Sequence, residues 1–111
     1  MRRGEIYYAD LSPTVGSEIK KRRPVLIVSN DASNRAAGTV TVLPITSNIS
    51  RVYRFEILLS SKESGLPKPS KAQAQQIRPI SKDRLRGNVR GRVSAAVMRN
   101  AEEAIRLHLD L

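Results

Sequence analysis

The chain has 111 residues, the size of one domain spanning 1–111, and alone it buries only part of its apolar surface. It contains no cysteine, which excludes disulfides and thiolate metal sites and offers nothing in favour of an oxidising compartment. Twenty Lys and Arg against ten Asp and Glu leave a formal charge of +10, a surface that attracts polyanions, nucleic acid foremost.

No apolar run approaches the roughly 20 residues of a membrane span. The start, Met1-Arg2-Arg3-Gly4-Glu5, has two positive charges but no apolar stretch behind them. The expectation is a cytoplasmic protein with no signal peptide and no membrane association. The aromatic residues are only Tyr7, Tyr8, Tyr53 and Phe55, which is thin for a base-stacking platform.

Taken in chain order, Glu5 to Leu11 is rich in β-formers and reads as a first strand, ended by Ser12-Pro13. Thr14 to Arg22 is a polar loop that runs into Lys20-Lys21-Arg22-Arg23. Pro24 to Val28 is a short, β-branched apolar run and reads as a buried strand. Ser29-Asn30-Asp31 is a turn or cap, with one helical turn over Ala32 to Arg35. Thr39 to Ile45 is a third strand, followed by the polar turn Thr46-Ser47-Asn48. The alternation of Val52, Tyr53, Phe55, Ile57 and Leu59 predicts a fourth strand over 51–59, and 60–71 reads as a loop. Ala72 to Ile80 is a weaker fifth strand, Ser81 to Leu85 a short capped turn, and Arg90 to Val93 a last short strand. Ser94 caps a closing helix with Val97, Met98, Ala101, Ile105 and Leu109 on one face. Short strands and a terminal helix predict a mainly β fold, a small barrel or curled sheet with the helix against it.

The chemistry open to this chain is narrow. His108 is the only histidine, so a catalytic histidine pair is excluded, and its place near the end of the helix suits an ordinary helix residue. The acids are scattered, with no metal-ligand spacing, so neither a metal nor another cofactor is expected. No phosphate-binding glycine loop occurs. Arginine, lysine and small hydroxyls remain, and these suffice to cleave RNA. The 2′-hydroxyl is the nucleophile. A guanidinium stabilises the charge on the phosphate oxygens bidentately, and a threonine hydroxyl adds a hydrogen bond. The last member of the basic run is held by the strand it opens, which favours it over groups on loops.

Four segments in order resemble the MazF/PemK (Kid) toxin family: Arg3 to Pro13 with Val15-Gly16-Ser17-Glu18; Arg22 to Asp31 with Asn34-Arg35; Val42 to Ser47; and Gln76 to Leu85. The resemblance implies an SH3-like barrel with a C-terminal helix, shared with the gyrase poison CcdB, and a homodimer. It implies the toxin of a type II toxin–antitoxin system, an mRNA interferase that cuts single-stranded RNA to a 2′,3′-cyclic phosphate and a 5′-hydroxyl. A MazE-like antitoxin is the implied partner. The family's catalytic arginine and threonine fall on Arg23 and Thr46. RNA contacts fall on Gly16, Ser17, Lys20, Lys21, Arg22, Ser47, Asn48, Gln76 and Arg78. Some PemK-like members carry Arg-x-Asp, with acid and base roles, where this chain has Gln73-Ala74-Gln75. That version of the mechanism does not carry over. Two other readings stand beside the nuclease: a basic barrel that binds RNA without cutting it, and a CcdB-like topoisomerase poison.

Overall fold

The structure is a computed structural model that describes residues 1–11 and 22–111. Seven strands form one curled antiparallel sheet: β1 (Glu5–Asp10), β2 (Arg22–Ile27), β3 (Thr39–Thr46), β4 (Glu56–Leu59), β5 (Ser70–Gln73), β6 (Arg78–Ser81) and β7 (Leu85–Arg92). Their order is β4-β5-β3-β2-β1-β7, and β6 also pairs with β3. Among the described residues there are three α-helices: α1 (Asp31–Ala36), α2 (Ser61–Ser64) and α3 (Ala95–Leu109).

The alternation of side chains along each strand separates two apolar clusters. Ile6, Leu26, Leu43, Ile45, Ile57 and Leu59 pack inside the curl with Met98, Ala101 and Ala104 of α3. Ala9, Leu11, Val25, Ile27, Val40, Val42 and Ile80 form the second cluster on the opposite face. The Ser94 hydroxyl accepts from the Val97 N–H and starts α3 as expected. Arg3 ties the chain's beginning to its end: its Nε donates to the Val28 carbonyl and its guanidinium lies 2.9 Å from the Glu102 carboxylate.

Three elements differ from the sequence expectations. Residues 51–55 are not part of a strand; only Glu56–Leu59 is. The expected loop over 60–71 contains α2, capped by Ser60, and the first residues of β5. The expected strand over 72–80 is broken into β5 and β6 by a 3₁₀ turn, Ala74–Gln76. Both pieces pair with β3, Ala72 opposite Ile45 and Arg78 opposite Val42. The chain thus advances six residues while β3 advances three, and the surplus is looped out in the turn. The last strand, expected over 90–93, begins at Leu85, and it runs against β1 with a register shift between Ile6 and Tyr8.

Candidate active site

Val25 of β2 stands opposite Pro44 of β3. The recorded pairing ends there; extended by two residues, the same register would bring Arg23 toward Thr46. Pro24 and Pro44 lack N–H donors, which explains why the hydrogen-bonded ladder runs only from Ile27 to Val25. On either side the row continues. Ala9 lies opposite Arg23, and Lys71 opposite Thr46. Residues directly across an antiparallel pair have Cβ atoms about 4.5–5.5 Å apart and share a face. Thr46 and Lys71 are therefore lateral neighbours, and alternation puts Arg23, two residues before Val25, on the same face of the sheet. Thr46 is half-buried, and its Oγ1 accepts from the Asn48 backbone N–H at 3.3 Å. The hydroxyl proton of Thr46 is still available to donate.

Behind this row sits a buried carboxylate that sequence reasoning missed. Glu56 Oε1 accepts from Lys71 Nζ at 2.9 Å and from the Tyr53 backbone N–H at 2.9 Å. Glu56 Oε2 accepts from Gln75 at 2.7 Å and Gln73 at 3.1 Å. Burial pushes the Glu56 carboxyl up, but the Tyr53 N–H and the Gln75, Gln73 and Lys71 donors outweigh it and hold the pKa at about 2. Both oxygens are saturated, so Glu56 is a poor proton acceptor. The glutamines that replace the Arg-x-Asp serve as its donors.

Strand alternation divides the sequence-predicted residues. Arg78 of β6 is opposite Val42 and so shares the face of Arg23 and Thr46. Gln76 ends the 3₁₀ turn just before it, half-buried. Arg22 and Ser47 are adjacent to the catalytic candidates in sequence but belong to the other face. There they line a cleft of about 280 Å³ together with Arg23, Tyr8, Pro67 and Lys68. This cleft runs into a second, of about 370 Å³, through Tyr8, Arg22, Leu66 and Pro67. Arg90 closes the second cleft, its guanidinium 5.0 Å over the Tyr8 ring. Lys68 and Arg90 are basic contributions without a sequence signal beyond the overall charge. Asn48 is exposed beside Thr46 and turns the chain by accepting from Ser50. Gly16, Ser17, Lys20 and Lys21 lie outside the described residues. His108 is exposed near the end of α3.

The arrangement offers a guanidinium and a hydroxyl on one face of a sheet end that carries further cations, a combination suited to a phosphodiester. The comparisons with known proteins agree with it. A model of the PemK-like, MazF-like toxins of type II toxin-antitoxin systems matches residues 2–109. The chain is 51% identical over 116 residues to endoribonuclease MazF9 of Mycobacterium tuberculosis, covering 100% of this chain and 98% of that protein. It is 36% identical over 112 residues to endoribonuclease EndoA of Bacillus subtilis, covering 100% and 96%. It superposes with a TM-score of 0.82 and 28% identity on a mycobacterial endoribonuclease solved in complex with its cognate antitoxin, covering 100% and 96%. MazF of Deinococcus radiodurans shares the fold, with a TM-score of 0.85 at 23% identity, covering 100% and 97%.

Proposed function

Because this chain belongs to the PemK-like, MazF-like toxin family and is an endoribonuclease of that family, we propose that it cuts single-stranded RNA selectively and without a metal ion. The observation that carries this reading is that β2 and β3 pair as far as Val25 and Pro44, just short of Arg23 and Thr46, so that alternation puts these two side chains on one face of the sheet. In the reaction, the 2′-oxygen attacks the adjacent phosphorus and the bond from phosphorus to the 5′-oxygen breaks. The proton leaves the 2′-hydroxyl and a proton ends on the 5′-oxygen. The products are a 2′,3′-cyclic phosphate and a 5′-hydroxyl, with no water consumed. Arg23 binds the nonbridging oxygens bidentately and stabilises their added charge, and Thr46 donates to the same oxygens. Lys20, Lys21 and Arg22 hold neighbouring phosphates, while Gly16, Ser17, Ser47, Asn48, Gln76 and Arg78 complete the strand's contacts.

The same reading makes the protein a cytoplasmic homodimer that restrains growth by cutting transcripts until a partner antitoxin binds it. A short chain gains burial by pairing. With a formal charge of +10, the antitoxin it favours is an acidic, partly disordered chain competing for the RNA surface. The deciding experiment incubates the purified protein with RNA in EDTA. Expected are fragments whose 5′ ends accept phosphate from a kinase without prior dephosphorylation. An RNA with a 2′-deoxy nucleotide at the cut position should stay intact. Cutting of that RNA, or a strict need for a divalent metal, overturns the mechanism. A gel shift without cleavage supports the RNA-binding barrel instead, and gyrase inhibition without either supports the topoisomerase poison.

A further inference from the structure

The few aromatic residues of this chain are not dispersed. Tyr53 and Phe55 stack with ring centroids 5.2 Å apart and planes 7° from parallel. The Arg51 guanidinium lies 5.5 Å from the Tyr53 centroid and donates to the Tyr53 hydroxyl at 3.0 Å. Tyr53 is 44% exposed, Arg51 and Arg54 are exposed with it, and none of these residues belongs to either apolar cluster. Core packing does not account for the stack.

The segment is irregular, yet it is pinned from beneath. The Arg51 carbonyl accepts from Lys71 Nζ at 2.6 Å, the Tyr53 N–H donates to Glu56 Oε1 at 2.9 Å, and the Glu56 N–H donates to the Tyr53 carbonyl at 2.9 Å. A buried ion pair is a weak source of stability on its own. Here it fixes an exposed ring in place, which is what a preorganised contact surface requires. The strand register says where that surface lies. Lys71 is the lateral neighbour of Thr46, and its ammonium is 5.9 Å from the Tyr53 centroid. The rings therefore stand on the catalytic face, one lysine side chain away from Thr46.

Exposed rings flanked by cations are the chemistry that holds an unstacked base and its phosphate in single-stranded RNA. The exposed Arg51 and Arg54 favour a polyanion over an apolar protein surface. We propose that Arg51, Tyr53 and Phe55 form a base-stacking subsite for a nucleotide flanking the scissile phosphate. It sets part of the sequence preference. The subsite rests on the nuclease reading for the identity of its strand.

Two experiments test it. In the first, wild type, Tyr53→Phe and Tyr53→Ala cut a random-sequence RNA pool, and the sites are sequenced. Tyr53→Phe should keep the wild-type preference. Tyr53→Ala should lose it at one position outside the scissile pair and bind about ten-fold more weakly, with single-turnover cleavage at saturation unchanged. In the second, Tyr53→Trp places the only tryptophan in a chain that has none. Its fluorescence should fall on titration with a 2′-O-methyl RNA pool, which lacks the nucleophile and cannot be cut. Quenching without any cleavage of ordinary RNA would sink the nuclease reading and keep the subsite. Cleavage with no quenching and an unaltered preference in folded Tyr53→Ala would overturn the subsite. So would a change from dimer to monomer in that variant, because the ring would then belong to a subunit contact.

Discussion

Gly65 and Gly91 meet backbone to backbone: a Cβ on Gly65 would collide with the Arg90 carbonyl oxygen, and one on Gly91 with the Ser64 carbonyl oxygen. Gly65 also has φ +73, in the left-handed region where glycine ends α2 without strain. This close approach holds Leu66 and Pro67 beside Arg90 and so shapes both clefts. Gly91→Ala is expected to destabilise the fold by about 1–3 kcal/mol through overpacking. Gly38→Ala, where an added Cβ meets nothing within 4 Å, is the control expected to stay within about 0.5 kcal/mol. Urea denaturation of the two variants decides it; equal midpoints would mean that the turn yields freely.

Arg23→Ala should slow RNA cleavage about 100–1,000-fold, the usual cost of removing one transition-state donor. Because Arg23 sits half-exposed at the open end of β2, the variant should keep its fold. Arg23→Lys should recover little, since an ammonium cannot offer the two-pronged donor. Single-turnover rates with saturating protein measure this directly. A folded Arg23→Ala protein with wild-type rate would remove Arg23 from the reaction.

Glu56 makes stability depend on acid. Its folded pKa of about 2 lies below the ordinary 4.5. The stabilisation is therefore complete above about pH 4.5 and is lost as pH falls toward 2, amounting to about 3 kcal/mol. Lys71→Ala, which leaves the carboxylate buried without its cation, should cost about 3–5 kcal/mol. The pair Glu56→Leu with Lys71→Met should recover much of that loss yet release the 51–53 segment. Melting curves between pH 2 and 7 test the first part, and denaturation of the single and double variants the second. A flat acid limb in wild type would count against a strongly ionised Glu56.

Neutralising Lys68 and Arg90 together should weaken binding of every RNA alike. For single strands, log affinity falls by roughly 0.7 per contacted phosphate per log unit of salt, so the variant's salt slope should flatten by about that amount for each phosphate it no longer holds. Filter binding at several salt concentrations gives the slopes. An unchanged slope would leave these two cations as solvated surface.

The strands on either side of the candidate residues are readable because one-face burial writes itself as alternation. Ile6 and Tyr8 pack on one cluster, and Tyr7, Ala9 and Leu11 on the other. Ser94 is readable because a cap is a local hydrogen bond. Residues 51–55 mislead because Val52, Tyr53 and Phe55 are β-formers by composition, while their conformation is decided by Glu56 and Lys71, the latter far along the chain. Helical periodicity puts Leu109 on the packed face of α3, but it is 47% exposed, whereas Ala104 is buried. The helix outlasts the β4 and 3₁₀ surface it rests on. The catalytic candidates come from a resemblance; their adjacency is visible only once β2, β3 and β5 are in register. Lys71 gives no signal, since nothing local marks a lysine whose partner is 15 residues away.

The tie between Arg3 and Glu102, with Met98, Ala101 and Ala104 filling the core, also sets a schedule for synthesis. Arg23 and Thr46 leave the ribosome before the helix that closes the core, Ala95–Leu109, has been made. Domains fold as units during translation, so a nascent chain carries both candidate side chains before it can hold them in position. A chain truncated before Ser94 should show no cooperative melting and no cleavage of RNA, and a folded, active truncation would show that the helix is dispensable.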